Sequence, residues 1–340
     1  GLLRGKTWAE SAAIANACGA IVVSRHGCAP AMPTPAELDH WFSGHRHPRP
    51  DQDPHLAHLH RVTAARPQWP ELFVLAYDHR AQFEDLARQA GVDGARLPGL
   101  KQLLNAVVAD VERDPGCEGR MGVLIDGRIG EAALHDATGR GWWLGRPIER
   151  PGSRPLRFDG THSLATQLVH WPREQVVKCL VFYHPDDAAA LRAEQDEWLQ
   201  QVWEATRASG HELLLEVIPP KDMLAPGDTG EAVLRAIRHF YGIGLKPEWW
   251  KVGTMAARHW DALDALVRER DPYCRGAVIL GLSQPVEQLI AGFAEARALH
   301  LLRLPRTHTP HNLHRTARRP DRLAAIAARP APPAHTPRTV

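Results

Sequence analysis

From about residue 69 onward, short apolar runs rich in Val, Leu and Ile alternate with longer stretches whose apolar residues recur at helical spacing. The runs at 72–77, 121–125, 141–145, 176–183, 212–218, 249–252 and 277–280 predict strands. A strand covered on both faces by crossover helices is apolar almost throughout, and these runs have that character. The stretches 81–90, 100–112, 187–209, 230–241, 256–270 and 286–296 predict the helices between them. Strand and helix in strict alternation imply an α/β fold with a parallel sheet. The expectation is a (β/α)8 TIM barrel whose eighth strand is missing or altered, with an open doubly wound sheet as the alternative.

The flanks break this rhythm. Residues 1–43 hold a small-residue helix pattern, Ser11-Ala-Ala-Ile-Ala-Asn-Ala-Cys-Gly-Ala20, and a Pro-rich turn, too little to bury a core alone. Residues 44–68 fill with Pro, His, Asp and Arg and read as a solvated linker. The repeating part spans 69–298. After it, where an eighth strand should stand, only 298–304 could pair; the Arg, Pro and His of 299–340 predict a divergent, disordered tail.

Composition changes this picture little. The 340 residues are 44% hydrophobic and 24% charged with a formal net charge of +2, the balance of a globular protein. No apolar run approaches the ~20 residues needed to cross a bilayer, and the opening stretch lacks a signal-peptide pattern, so a cytoplasmic protein with no membrane partner is expected. The five cysteines form no Cys-x-x-Cys pair and predict free thiols. The arginines of the tail have no aromatic interleaving, so no nucleic-acid partner is expected. His45, His47, His55, His58 and His60 could in principle bind zinc, but their spacing is irregular, and no metal site is expected.

Candidate chemistry lies in charges at strand ends, where barrels place their active sites. Asp78 ends the first predicted strand, Lys178 lies inside the fourth, Glu216 follows three leucines in the fifth, and Lys251 follows two tryptophans in the sixth. A buried charge is costly unless paired, so the lysines should meet the acids; a structural ion-pair network explains any one of them alone. Together they supply a Schiff-base kit. A lysine beside a second cation in a dry site has a depressed pKa and can attack a carbonyl, while a carboxylate moves the hydroxyl proton. Arg80 and Arg146, which follow strand ends, are candidates for holding a substrate carboxylate bidentately.

The motifs Leu75-Ala-Tyr-Asp-His-Arg80, Gly139-Arg-Gly-Trp-Trp-Leu-Gly-Arg-Pro147, Val177-Lys-Cys-Leu-Val-Phe-Tyr-His-Pro-Asp-Asp187, Leu213-Leu-Leu-Glu-Val-Ile-Pro-Pro-Lys221, Trp249-Trp-Lys251 and Arg270-Asp-Pro-Tyr-Cys-Arg-Gly276 carry a resemblance. They resemble the 2-deoxy-5-keto-D-gluconate 6-phosphate aldolase domain of myo-inositol breakdown, often fused behind a ribokinase-like 5-dehydro-2-deoxygluconokinase. Residues 1–43 are similar to the C-terminal part of that kinase without its catalytic loop, so kinase activity is not expected. The strand-end charges also fall as in class I tagatose 1,6-bisphosphate aldolases. By that likeness Lys251 is the Schiff-base nucleophile, Glu216 the general acid/base, Lys178 the cation that tunes them and Asp78 a substrate-orienting carboxylate. Gly281 would remain from the phosphate site. The implied function is a metal-free, cofactor-free aldolase that cleaves a phosphorylated sugar acid to dihydroxyacetone phosphate and malonate semialdehyde, compatible with a homo-oligomer. The alternatives are an inactive fragment of the bifunctional enzyme or a metal-dependent aldolase. The sequence departs from the family at Trp249-Trp-Lys-Val-Gly-Thr254, where members commonly carry Leu-Glu-Pro after the lysine, and after residue 298.

Overall fold

The computed structural model describes residues 2–297 apart from 45, 46, 65, 68, 70, 161, 162, 226–228 and 282–284; the tail and the position of an eighth strand lie outside the described residues. The chain divides into two compact units, Gly1–Gln68 and Trp69–Val340.

The first unit holds helices α1 (Trp8–Val22), α2 (Pro35–Phe42) and α3 (Pro54–Thr63). Thr7 and Glu10 close a capping box at the start of α1, and Thr34 and Glu37 close one at α2. Glu37 is fully buried, its carboxylate shared between Arg25 and His60. Helix α3 stands where a solvated linker was expected. Asp53 accepts the backbone N–H groups of His55 and Leu56, which satisfies the first turn, and Leu56 and Leu59 are buried. The polar composition of this stretch hid a short amphipathic helix.

In the second unit the order is β1 (Phe73–Ala76), α4 (Ala81–Gln89), α5 (Leu97–Val111), β2 (Met121–Leu124), α6 (Glu131–Ala137), β3 (Trp143–Pro147) and α7 (Leu164–Val169). It continues with β4 (Gln175–Phe182), α8 (Ala189–Ser209), β5 (Leu213–Ile218), α9 (Thr229–Gly242), β6 (Trp249–Val252), α10 (Ala257–Arg270), β7 (Gly276–Ile279) and α11 (Val286–Arg297). The seven strands form one parallel sheet in sequence order, as in a (β/α) barrel and unlike the reordered sheet of a doubly wound fold.

Register sorts the side chains. Val74 pairs with Gly122, Gly122 with Trp143, Gly145 with Val176, Lys178 with Leu214, Leu214 with Trp249 and Glu216 with Lys251, so these residues share one face of the sheet. Trp143, Val176, Leu214 and Trp249 pack together on it, and the edge of one indole meets the other at 6.0 Å between ring centroids. Arg275 lies over the rings of Trp69 and Trp249 and pairs with Glu212. These aromatics form an apolar layer one step before the charged residues. Glycine makes room for them: a Cβ on Gly145 would lie 2.6 Å from Leu124 and 2.9 Å from the Trp143 ring. The opposite face, with Val177, Cys179 and Val181 of β4, packs on Leu199 and Val202 of α8. The tandem tryptophans divide between the two faces: Trp250, beside Trp249, donates its indole N–H to the Tyr241 hydroxyl at 2.8 Å.

Candidate active site

The charges gather where strand alternation sends them. Lys178, Glu216 and Lys251 stand on β4, β5 and β6, one layer beyond the aromatics. Asp78 and Glu149 continue the same alternation, each two residues past the end of its strand, β1 and β3. All five are less than one-tenth exposed.

Lys178 is the hub. Its Nζ donates to Glu149 Oε1 at 2.7 Å and lies 3.0 Å from Glu216 Oε2 and 3.4 Å from Asp78 Oδ2. The same Glu216 Oε2 receives Lys251 Nζ at 3.2 Å. One carboxylate oxygen therefore bridges two lysines from neighbouring strands. Burial works against the Lys178 ammonium, but Glu149, Glu216 and Asp78 hold its pKa well above the usual lysine value. Burial likewise opposes the Asp78 carboxylate, yet the charges of Lys178 and Lys251 keep its pKa below the usual range. For Glu149 burial prevails, and its pKa is raised.

The four residues read from the sequence as catalytic are thus brought together, and Glu149 joins them. The expected third strand stopped at 145, which left Glu149 in apparent loop; β3 runs to Pro147, and an acid two residues past a strand end was the signal. Lys101 is a second addition. Fully buried, it reaches in from α5 and donates to the carbonyls of Tyr77 and His79, both at 2.9 Å, and to Asp126. Those carbonyls flank Asp78, so Lys101 fixes the loop that carries it. Asp126 Oδ2 in turn accepts the backbone N–H groups of Arg128 at 3.0 Å and Ile129 at 2.7 Å.

Arg80 lies beside the cluster but is engaged: it donates to Asp159 at 2.5 Å and to the Glu149 carbonyl at 2.9 Å. Arg146 does not join. It occupies the other face of β3, in register with Val177, with its guanidinium 4.0 Å from the Trp171 ring centroid and within reach of Gln175 at 3.3 Å. A strand-end position did not reveal which face the side chain would take. Gly281 follows β7 and is half-buried. Among the described residues no group of three His, Cys, Asp or Glu is placed to hold a metal ion, and no helix is long and apolar enough to cross a membrane.

Residues 37–304 match the model of a family described as "Uncharacterized protein conserved in bacteria (DUF2090)". The chain belongs to this family. No curated protein matches it. Among solved structures, a protein from Corynebacterium glutamicum is similar at 16% identity, over 78% of this chain and 87% of that one, with a TM-score of 0.47. A fructose-bisphosphate aldolase from Plasmodium falciparum is similar at 13% identity over 68% and 77%, with a TM-score of 0.47. A Schiff base-forming fructose-1,6-bisphosphate aldolase is similar at 15% identity over 68% and 84%, with a TM-score of 0.42. Similarity at this level carries no information about chemistry.

Proposed function

We propose that this DUF2090 member is a class I aldolase, with Lys251 as its Schiff-base nucleophile. The observation that carries the reading is the single Glu216 oxygen between the Lys178 and Lys251 amines, at 3.0 and 3.2 Å, with all three residues buried. Two buried lysines sharing one carboxylate are an expensive way to stabilise a sheet, and a ready way to keep one amine reactive beside a fixed cation. The two are not equivalent. Lys178 is enclosed by three carboxyl groups that hold it as an ammonium, and an ammonium cannot attack. Lys251 has, among the described residues, its ion-pair contact with Glu216.

The substrate class rests on the motif resemblance, which points to 2-deoxy-5-keto-D-gluconate 6-phosphate. The Lys251 nitrogen adds to the C5 carbonyl, and loss of water gives an iminium. Glu216 accepts the C3 hydroxyl proton while the C3–C4 bonding pair moves into the iminium. Malonate semialdehyde leaves, and protonation at C4 followed by hydrolysis frees dihydroxyacetone phosphate and the lysine. The Lys178 charge stabilises the carboxylates about it through this sequence, and the fixed Asp78 carboxylate is placed to accept a substrate hydroxyl.

The test is borohydride reduction in the presence of substrate, followed by peptide mass analysis. A reduced adduct on the peptide containing Lys251, absent from Lys251→Met, is the expected result; an unmodified Lys251 peptide defeats the reading. EDTA should leave cleavage intact, whereas activity lost to EDTA and restored by zinc would assign the reaction to a metal-dependent aldolase.

A further inference from the structure

The cluster contains three carboxyl groups, Asp78, Glu149 and Glu216, and two amines, Lys178 and Lys251. With every group ionised it carries one excess negative charge; with Lys251 as the free amine that attack requires, it carries two. Each member is less than one-tenth exposed, so bulk solvent screens the excess only weakly. Uncompensated charge in such a place is costly, and binding a proton is the usual relief.

Geometry selects the carboxyl that takes it. Glu216 Oε2 faces both amines, and Asp78 lies near Lys178 under the influence of Lys251 as well. Glu149 meets a cation through Oε1 only; its Oε2 is buried with no hydrogen-bond partner among the described residues. The bond from Lys178 to Oε1 does not require ionisation, because the carbonyl oxygen of a neutral carboxyl accepts it too. Among the nearby groups, Arg80 donates to the Glu149 backbone carbonyl and pairs with Asp159, which Arg150 also approaches at 3.5 Å; Lys101 pairs with Asp126; His79 acts on Asp78 rather than on Glu149; and Cys179, on the other face of β4, has a thiol that burial keeps neutral.

We propose that Glu149 is the general acid of the site, holding a proton on Oε2 and passing it to the oxygen that leaves C5 when the Lys251 adduct loses water; this step rests on the aldolase reading. In the carbinolamine the nitrogen lone pair forms the C=N bond as the C5–O bond breaks. The bonding pair stays with oxygen, and the Glu149 proton completes the water molecule. The carboxylate left on Glu149 appears together with the positive iminium, so the cluster's net charge is unchanged. The opposed shifts of Asp78, downward, and Glu149, upward, fit a division of labour between a permanent anion and an acid.

Two measurements on the full chain test this. Infrared spectra at neutral pH should show a carboxylic-acid C=O band in the wild type that Glu149→Gln lacks; no such difference overturns the proposal, whatever the substrate. Rapid-quench borohydride trapping with 2-deoxy-5-keto-D-gluconate 6-phosphate should then show adduct formation slowed about a hundredfold in Glu149→Gln, with a flattened alkaline limb and partial recovery in Glu149→Asp. A wild-type trapping rate and pH profile in Glu149→Gln overturns the donor role. If the wild type forms no Lys251 adduct, the aldolase reading fails and the donation step with it, while the infrared band still decides the proton on Glu149.

Discussion

Lys178 neutralises more of the site than any other residue, because three carboxyl groups converge on one ammonium. Lys178→Met should therefore cost about 3–5 kcal/mol, the penalty for leaving buried charge unpaired, read from urea unfolding. Protonation of the orphaned acids would relieve part of that loss, so the deficit should narrow as pH falls. Glu149 gives a second pH signature. Its folded pKa lies above the unfolded value of 4.5, so the native state binds the proton more tightly. Its contribution is fully present below that unfolded value and is lost as pH rises through the folded one. Asp78 has the opposite sign, since its depressed pKa contributes stability that disappears as pH falls through the folded value. Urea titrations across pH should show the Glu149 decline in the wild type and not in Glu149→Gln. Asp78, Lys178, Glu216 and Lys251 were legible because a charge inside an apolar run has few explanations. Lys101 was not. On a helix, a lysine looks like solvated surface until tertiary structure brings Tyr77, His79 and Asp126 to its amine.

Among elements, the predicted strands coincide with the observed ones to within two residues, because strands covered on both faces announce themselves as apolar runs. The short α6 and α7 escaped, being too brief to show a helical period, as did α3 in its polar surroundings. The two-residue offset of β3 mattered most, since it concealed Glu149. Glycines in this sheet are spacers for the indoles. Gly145→Val would drive methyl groups into Leu124 and Trp143, and such overpacking costs about 1–3 kcal/mol, to be checked by urea unfolding. The helix supporting the first strand end is as sensitive. Lys101→Met strands the buried Asp126 and frees the Asp78 loop, so kcat for cleavage should fall more than KM rises, measured by steady-state kinetics on the folded variant.

At the scale of the whole molecule, every residue of the cluster comes from the unit Trp69–Val340. Glu37→Gln removes the carboxylate shared by Arg25 and His60 in the other unit, whereas the ion-pair partners described for Lys178 and Lys251 all belong to the unit Trp69–Val340. Borohydride trapping at Lys251 should therefore proceed within about twofold of the wild-type rate in that variant, as for substitutions with no shared partners. In the first unit the small-residue pattern at 11–20 lies within α1, whereas α3 was not readable, since its first turn is capped by Asp53 rather than marked by a long apolar period. The sheet itself has a temporal consequence. Because strand order equals sequence order, each strand after β1 leaves the ribosome with the preceding strand it pairs with already synthesised. The acids Asp78 and Glu149 emerge first, Lys178 arrives to neutralise them, and the amine that would do the chemistry comes last, into a socket already built for it.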